Sequence, residues 1–148
     1  MPQLGSLREF GTLIRKQLVH CSHAGALPVV LLVAVDTLAA PPVRADQLAA
    51  VGMRLRSRVR ATDLVVQIGD RFGVFLQGDA GRHAPSIRER LRLALLDDFT
   101  LAGSYSHIRP RFGMAIHPGT PISGIELVGQ AERALEDCAP LVRDTIAG

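Results

Sequence analysis

The apolar run from Leu27 to Val35 constrains the fold of this chain more than any other segment. Apart from Pro28, its side chains are all aliphatic, and four of its nine positions are valine. An unbroken apolar run rich in β-branched residues predicts a strand that is buried on both faces. The run is too short to cross a bilayer. The fold must therefore contain a sheet with protein packed against both sides of this strand.

The rest of the chain alternates between helical and strand patterns around this run. Apolar residues recur at helical spacing in four segments, namely Leu7–Val19, Ala45–Val59, Pro85–Leu96 and Ile122–Leu135. Further strands are predicted at Leu64–Gln67, Phe72–Leu76 and Phe112–Ile116, the first two joined as a hairpin. Pro41-Pro42 is predicted to break the chain before the second helix. The order α β α β β α β α indicates one α+β domain over residues 1–148, with helices packed on a mixed sheet.

Composition narrows the class of protein without defining a function. The 148 residues are 47% hydrophobic and 21% charged, which is typical of a globular domain and not of a disordered chain. Cys21 and Cys138 form no paired motif, so we expect reduced thiols and a cytoplasmic protein without a signal peptide. A net charge of +3 permits an anionic ligand but does not indicate nucleic acid.

Two polar motifs flank the short strand predicted at Leu64–Gln67. Arg60-Ala61-Thr62-Asp63 precedes it, and Ile68-Gly69-Asp70-Arg71-Phe72 follows it as the turn of the hairpin. This hairpin, together with an apolar strand that ends at Asp36, resembles the signature of the GGDEF family. Members of that family are diguanylate cyclases, which join two GTP molecules into cyclic di-GMP. The resemblance implies a nucleotide-cyclase-like palm fold.

Three other segments extend the resemblance over nearly the whole chain. Leu7-Arg8-Glu9-Phe10 is similar to the first helix of the family, and Phe112-Gly113-Met114-Ala115 is similar to a strand that follows the hairpin. Ala131-Glu132-Arg133-Ala134-Leu135 is similar to the last helix. Each segment is a weak match alone, and the order and spacing of all of them indicate the family.

The positions that would carry catalysis in the family have changed here. A cyclase holds divalent metal ions with carboxylates, and one of those positions falls on Ala34, whose methyl group binds no metal. The hairpin turn is one residue short and has Arg71 where the family has glutamate. The resemblance thus implies a degenerate signature turn with no catalytic residue and no bound metal or cofactor.

The substrate contacts implied by the resemblance are missing as well. The segment after Asp36, including Ala39 and Ala40, is shorter than in the family and lacks its guanine-binding asparagine and aspartate. The phosphate-binding lysine of the last helix falls on Ala139, and its tyrosine falls on Glu136. Because metal, base and phosphate contacts are lost together, we expect no enzyme activity.

The motif Arg60-Ala61-Thr62-Asp63 matches the RxxD inhibitory site of the family, which binds the product cyclic di-GMP. The resemblance implies that Arg60, Asp63 and Arg90 frame one ligand pocket. A guanidinium forks onto guanine or phosphate oxygens, and a carboxylate accepts from guanine N1 and N2. The alternative is structural: arginines are favoured at a helix C-terminus, and an exposed Arg–Asp pair contributes little.

Two functions follow from these alternatives. In the first, an inactive GGDEF-like domain binds cyclic di-GMP and regulates a protein partner, within the range of exopolysaccharide synthesis or surface behaviour. In the second, the domain is a ligand-independent scaffold that docks on an active cyclase or on a synthase or secretion component. A homodimer is compatible with either function.

Other candidate sites in the sequence are weaker. His20, Cys21 and His23 have metal-like spacing without a second ligand cluster, and His107 and His117 are isolated. The arginines at every second position from Arg54 to Arg60 point to different sides of a helix and lack interleaved aromatic residues. We therefore expect neither a metal site nor binding to nucleic acid.

Overall fold

The computed structural model of the protein describes residues 1–24, 26–36, 41–96, 99–101, 104–106 and 108–138. The helices are α1 (Leu7–Leu13), α2 (Arg15–Ala24), α3 (Pro41–Arg58), α4 (Ala84–Leu96) and α5 (Gly124–Asp137). The strands are β1 (Gln3–Leu4), β2 (Val29–Asp36), β3 (Leu64–Ile68), β4 (Arg71–Leu76), β5 (Phe99–Leu101), β6 (Ser104–Ser106) and β7 (Arg109–Ile116). Outside the described residues lie Ala39, Ala40, His107 and Ala139, as do the side chains of His20, Cys21 and His23.

The predicted central strand is confirmed. β2 lies between β4 and β7 in a five-stranded sheet of order β1-β3-β4-β2-β7, and it pairs antiparallel with both neighbours. Only β1 runs parallel to its neighbour, β3, so the sheet is mixed. Seven consecutive residues of β2, Val29 to Val35, are buried. β5 and β6 form a separate two-stranded ribbon.

Helices cover both faces of the sheet, which explains why β2 has no polar face. Alternate side chains of β2, among them Leu31 and Val33, pack with residues of α3 and α4 such as Leu55 and Leu91. The intervening side chains pack with α1 and α5. This arrangement confirms the predicted α/β fold class with a mixed sheet and packed helices.

Glycines let α1 and α5 approach each other closely on the second face. A Cβ atom added at Gly11 would lie 2.7 Å from the Cα atom of Ile125. A Cβ atom added at Gly124 would lie 2.1 Å from the carbonyl oxygen of Gly11. A larger residue at either position would force the two helices apart, because real Cβ atoms do not approach backbone atoms so closely.

Several predicted boundaries were wrong. The first helix does not run unbroken from Leu7 to Val19, because a turn at Ile14 divides it into α1 and α2. Pro41 and Pro42 do not break the chain but begin α3, where the first turn needs no backbone N–H donor. The strands β1, β5 and β6 were not predicted. No helix in the described part of the chain is long and apolar enough to span a membrane.

Candidate functional site

The turn between α3 and β3 carries the RxxD motif and is organised by the Asp63 carboxylate. Its Oδ2 atom accepts a hydrogen bond from the backbone N–H of Arg60 at 2.9 Å, and its Oδ1 atom accepts one from the backbone N–H of Gln77 at 3.0 Å. The Asp63 side chain is only 3% exposed. The carboxylate therefore holds the turn against the segment that follows β4, whatever else it contacts.

Arg60 extends from this turn with part of its guanidinium in use. Its Nη2 atom donates to the carbonyl oxygen of Gln77 at 2.6 Å, and its Nε atom lies 3.4 Å from Oδ2 of Asp63. The side chain is 63% exposed, and Nη1 donates to no atom of the described residues. These contacts fix the plane of the guanidinium and leave one of its two terminal nitrogens available.

Arg60, Asp63 and Arg90 lie on the wall of one open groove of about 710 Å³. The groove is bounded by the end of α3, by α4 and by the 3₁₀ turn Ala80–His83. Its other lining residues are Ser57, Arg58, Val59, Leu76, Asp79, Ala80, His83 and Ile87. The volume lies in the range of small-molecule sites. The structure thus brings the three predicted residues together, and what they bind stays a prediction.

The alternating arginines at the end of α3 have different contacts. Arg54 donates to the carbonyl oxygen of Ala94 at 3.0 Å and ties α3 to α4. Arg56 donates to the carbonyl oxygen of Asp63 at 2.7 Å and also to that of Arg60. Arg58 lines the groove, a position that the sequence alone did not indicate. Two of these four arginines are structural ties, and two face the groove.

The hairpin turn lies at the opposite end of β3. Ile68 pairs with Arg71, so the turn consists of Gly69 and Asp70 alone, and Gly69 has a φ of +62°. Only glycine adopts that backbone conformation readily. Ile68 and Phe72 are buried in the two core clusters. The five residues of the predicted signature turn therefore make a tight hairpin.

The charged side chains at this end of the sheet form ion pairs with one another. Asp70 pairs with Arg44 at 2.5 Å, and Arg71 lies 4.0 Å from Glu132. Asp36, at the end of β2, accepts two hydrogen bonds from Arg111 at 2.9 and 3.4 Å. We call these groups the hairpin-end ion pairs.

Ala34 lies between the arginines of the neighbouring strands in this region. Its partners in register are Arg71 on β4 and Arg111 on β7, and only 5% of its surface is exposed. Within the described ranges, no group of three or more His, Cys, Asp or Glu side chains is arranged to hold a metal ion. The described residues therefore present cations, and not a cluster of carboxylates, beside Ala34.

No protein-family model matches this sequence, and no curated protein sequence matches it. Solved structures do match. The GGDEF domain of YfiN (TpbB) from Pseudomonas aeruginosa gives a TM-score of 0.80 at 22% identity over 93% of this chain and 89% of that chain. The chain has the fold of a GGDEF domain.

Two other solved structures share the GGDEF fold with this chain. The GGDEF domain of DgcB from Caulobacter crescentus, in complex with cyclic di-GMP, gives a TM-score of 0.74 at 13% identity over 88% of this chain and 82% of that chain. The diguanylate cyclase SiaD from Pseudomonas aeruginosa, in complex with its activator SiaC, gives 0.76 at 18% identity over 93% of this chain and 55% of that chain. At these sequence identities, the structural similarity supports the fold alone and does not assign a function.

One histidine of this GGDEF fold is buried away from the hairpin turn. His117 is 2% exposed, and its Nδ1 atom accepts a hydrogen bond from the backbone N–H of Gly119 at 3.0 Å. Its Nε2 atom is buried and has no partner among the described residues. Burial lowers the pKa of His117 below its ordinary value, because the charged imidazolium would lose its hydration. His117 is therefore neutral near pH 7.

Proposed function

We propose that this domain binds cyclic di-GMP in the groove formed by Arg60, Asp63 and Arg90, and that it regulates a partner protein without making the nucleotide itself. The observation that carries the proposal is the shared groove. Residues separated by up to 30 positions in the sequence line one cavity of ligand size. A surface ion pair alone would not need a second arginine from another helix.

The contacts within the groove give each residue a role in the proposal. Arg60 is held by Asp63 and by the carbonyl oxygen of Gln77, and its free Nη1 group donates to guanine or to a phosphate. Arg90 contributes a second guanidinium from α4. Asp63, whose buried carboxylate accepts from the backbone N–H of Arg60 and from its guanidinium, holds Arg60 at the wall of the groove. DgcB, which shares the fold, is described in complex with cyclic di-GMP.

Loss of catalysis is the second part of the proposal. Asp36, at the end of β2, and Asp70, in the hairpin turn, are each paired with an arginine, and Ala34 supplies only a methyl group. A divalent cation would have to displace these arginines to reach the carboxylates. Incubation with GTP and Mg²⁺ or Mn²⁺ should yield no cyclic di-GMP, and formation of the product would disprove this part.

Isothermal titration calorimetry with cyclic di-GMP tests the binding proposal directly. Wild-type protein should bind, and Arg60→Ala and Arg90→Ala should each weaken binding by about tenfold or more, because each removes a charge-assisted hydrogen bond. Arg88→Ala is the matched control, since Arg88 is an exposed arginine of the same helix that does not line the groove. No heat with the wild type at high micromolar ligand would refute the proposal.

The third part of the proposal is that the domain acts by regulating a protein partner. The regulated process is exopolysaccharide synthesis or surface behaviour. SiaD provides a precedent, since it is described in complex with an activator protein. Capture of a partner on immobilised domain should change when cyclic di-GMP is added, and Arg60→Ala should abolish that change. Capture with the same dependence on ligand in the variant would contradict this route.

The second candidate function is a ligand-independent scaffold, and one feature of the opposite helical layer favours it. A groove of about 470 Å³ lies between α1, α2 and the start of α5, away from Arg60. Val19 and Ile125 line it, with exposed fractions of 56% and 40%. A partner held there would bind equally with and without cyclic di-GMP. Substitution of Val19 by aspartate would then reduce capture, whereas Arg60→Ala would not.

A further inference from the structure

Helix α3 exposes apolar side chains on a surface where helices ordinarily carry charged or polar ones. Met53 is 74% exposed, more than any other large apolar side chain of the described residues, and Ala49, one turn earlier, is exposed as well. Residues four positions apart share one side of a helix, so these two form an apolar row. The row lies outside the core, because α3 contributes Leu48, Val51 and Leu55 to the core instead.

Helix α4 adds a second apolar row beside the first. Leu93 and Leu96 are 52% and 43% exposed, and residues three positions apart share one side of a helix. The hydrogen bond from Arg54 to the carbonyl oxygen of Ala94 joins the two helices, and its two residues are the sequence neighbours of Met53 and Leu93. The exposed apolar residues on both sides of this junction form what we call the α3–α4 face, namely Ala49, Met53, Leu93 and Leu96.

The two helices that carry the α3–α4 face are strongly basic. Together they contain seven arginines and two carboxylates, a net charge of +5. Helix α5, in the opposite helical layer, contains four carboxylates and one arginine, a net charge of −3. The positive charge of the chain is therefore concentrated in the layer that exposes the apolar rows. A partner that buries those rows must also bring negative charge close to the arginines.

We propose that the α3–α4 face docks an amphipathic helix of a partner protein, with an apolar stripe flanked by acidic side chains. The stripe packs between Met53 and Leu93, and the carboxylates lie towards the arginines of the two helices. Rows of side chains at spacings of three and four residues are the ridges against which a further helix packs. This inference goes beyond the proposed function, because it requires neither cyclic di-GMP nor Arg60.

Two other occupants fit the α3–α4 face less well. Surfaces that lie on anionic membranes commonly use aromatic anchors, and neither α3 nor α4 contains an aromatic residue. The exposed Asp46 and Glu89 on the same helices would also be repelled by anionic lipid. The acidic helix α5 of a second copy is the other possibility, but its Glu132 already lies 4.0 Å from Arg71, and its Arg133 is exposed.

Fluorescence anisotropy with two synthetic helical peptides tests the proposal. Both have about 18 residues, the length of α3, and the same leucine stripe, with glutamate on the flanks of one and lysine on the flanks of the other. The protein should bind the glutamate peptide and not the lysine peptide, and added NaCl should weaken binding. Met53→Asp and Leu93→Asp should each weaken it about tenfold or more, because each replaces an apolar contact by a like charge.

Val19→Asp is the matched control, since Val19 is an exposed aliphatic residue of the opposite layer. It should bind the glutamate peptide like the wild type, and thermal unfolding should show that all three variants fold. No binding of the glutamate peptide, or equal binding by Met53→Asp and Val19→Asp, would overturn the proposal.

The other occupants give different results in the same set of proteins. Binding to phosphatidylserine vesicles that Met53→Asp abolishes, without binding of the glutamate peptide, would assign the α3–α4 face to a membrane and overturn the proposal. Self-association in sedimentation that Met53→Asp abolishes, again without peptide binding, would assign it to a second copy and overturn the proposal equally. Arg60→Ala should bind the glutamate peptide like the wild type, so a failure of nucleotide binding is distinguished from a failure of this inference.

Discussion

The two ends of strand β3 differ in how their charged side chains are paired. At the hairpin end, Asp36 and Asp70 are each paired with an arginine from another element. At the groove end, the buried Asp63 carboxylate is engaged by its own turn, while Arg58 and Arg90 have no described partner. The two regions are separated by the length of one short strand, about 13 Å at 3.3 Å per residue.

This difference indicates which region is available to bind a ligand. A cation whose donors are all engaged must lose a partner before it binds an anion, whereas Arg60 keeps a free Nη1 group beside its pair with Asp63. An unpaired guanidinium in a groove loses only its hydration. The hairpin end is therefore expected to contribute to stability, and the groove end to binding. Substitutions in each region can test that division.

The largest expected effect comes from Asp63, whose carboxylate is buried at the groove end. Asp63→Ala leaves the backbone N–H groups of Arg60 and Gln77 without their acceptor, so the free energy of unfolding should fall by about 3 kcal/mol. Asp79→Ala is the matched control, since Asp79 lines the same groove with an exposed carboxylate, and it should cost less than about 0.5 kcal/mol. Urea unfolding measures both. Equal losses in the two variants would refute a structural role for Asp63.

The next effect concerns the better shielded of the hairpin-end ion pairs. Arg111→Ala removes two hydrogen bonds to Asp36 and should lower the free energy of unfolding by about 1.5 kcal/mol, with no change in affinity for cyclic di-GMP. Arg109→Ala is its control, because Arg109 lies opposite Asp36 in register and is exposed. Weaker ligand binding by Arg111→Ala, comparable to that of Arg90→Ala, would break the division between the two ends.

How much of the fold the sequence predicted depends on the length of each pattern. The valine-rich run of β2 and the long helices were predicted because many residues repeat one period. The turn at Ile14 was missed because the apolar periodicity continues across it. β1 consists of two residues, and it is defined by pairing with β3, more than 60 positions away. A strand that depends on a distant partner has no local signal.

The candidate site is predicted in part by the sequence, and the rest depends on contacts between distant elements. Arg60, Asp63 and Arg90 came from the resemblance to the GGDEF family, and the structure unites them in one groove. The sequence did not distinguish Arg58, which faces the groove, from Arg56, which ties the turn. Both are arginines near the end of one helix. Their different roles follow from contacts with other elements, which periodicity does not reveal.

A smaller effect comes from His117, which belongs to neither region. Its protonation makes the free energy of unfolding depend on pH. Burial lowers its pKa in the folded protein, so the unfolded chain binds more protons once the pH falls below about 6.5. The free energy of unfolding should therefore decrease as the pH falls from that value, by less than the ~1.4 kcal/mol per pH unit that one proton can contribute. His117→Gln should reduce this slope. Identical slopes in wild type and His117→Gln would contradict the assignment.

The smallest effect is expected from the exposed pair between Arg44 and Asp70 at the hairpin turn. Asp70→Asn keeps a residue suited to the turn and removes the ion pair, and it should change the free energy of unfolding by no more than about 0.5 kcal/mol, because both side chains are substantially exposed. Gly69→Ala, next to it, should cost about 1 kcal/mol or more, since its φ of +62° disfavours a side chain. Backbone geometry, and not charge, would then dominate the stability of this turn. A larger loss of stability in Asp70→Asn than in Gly69→Ala would contradict this expectation. It would mean that the Arg44–Asp70 pair stabilises the hairpin end far more than exposed pairs usually do.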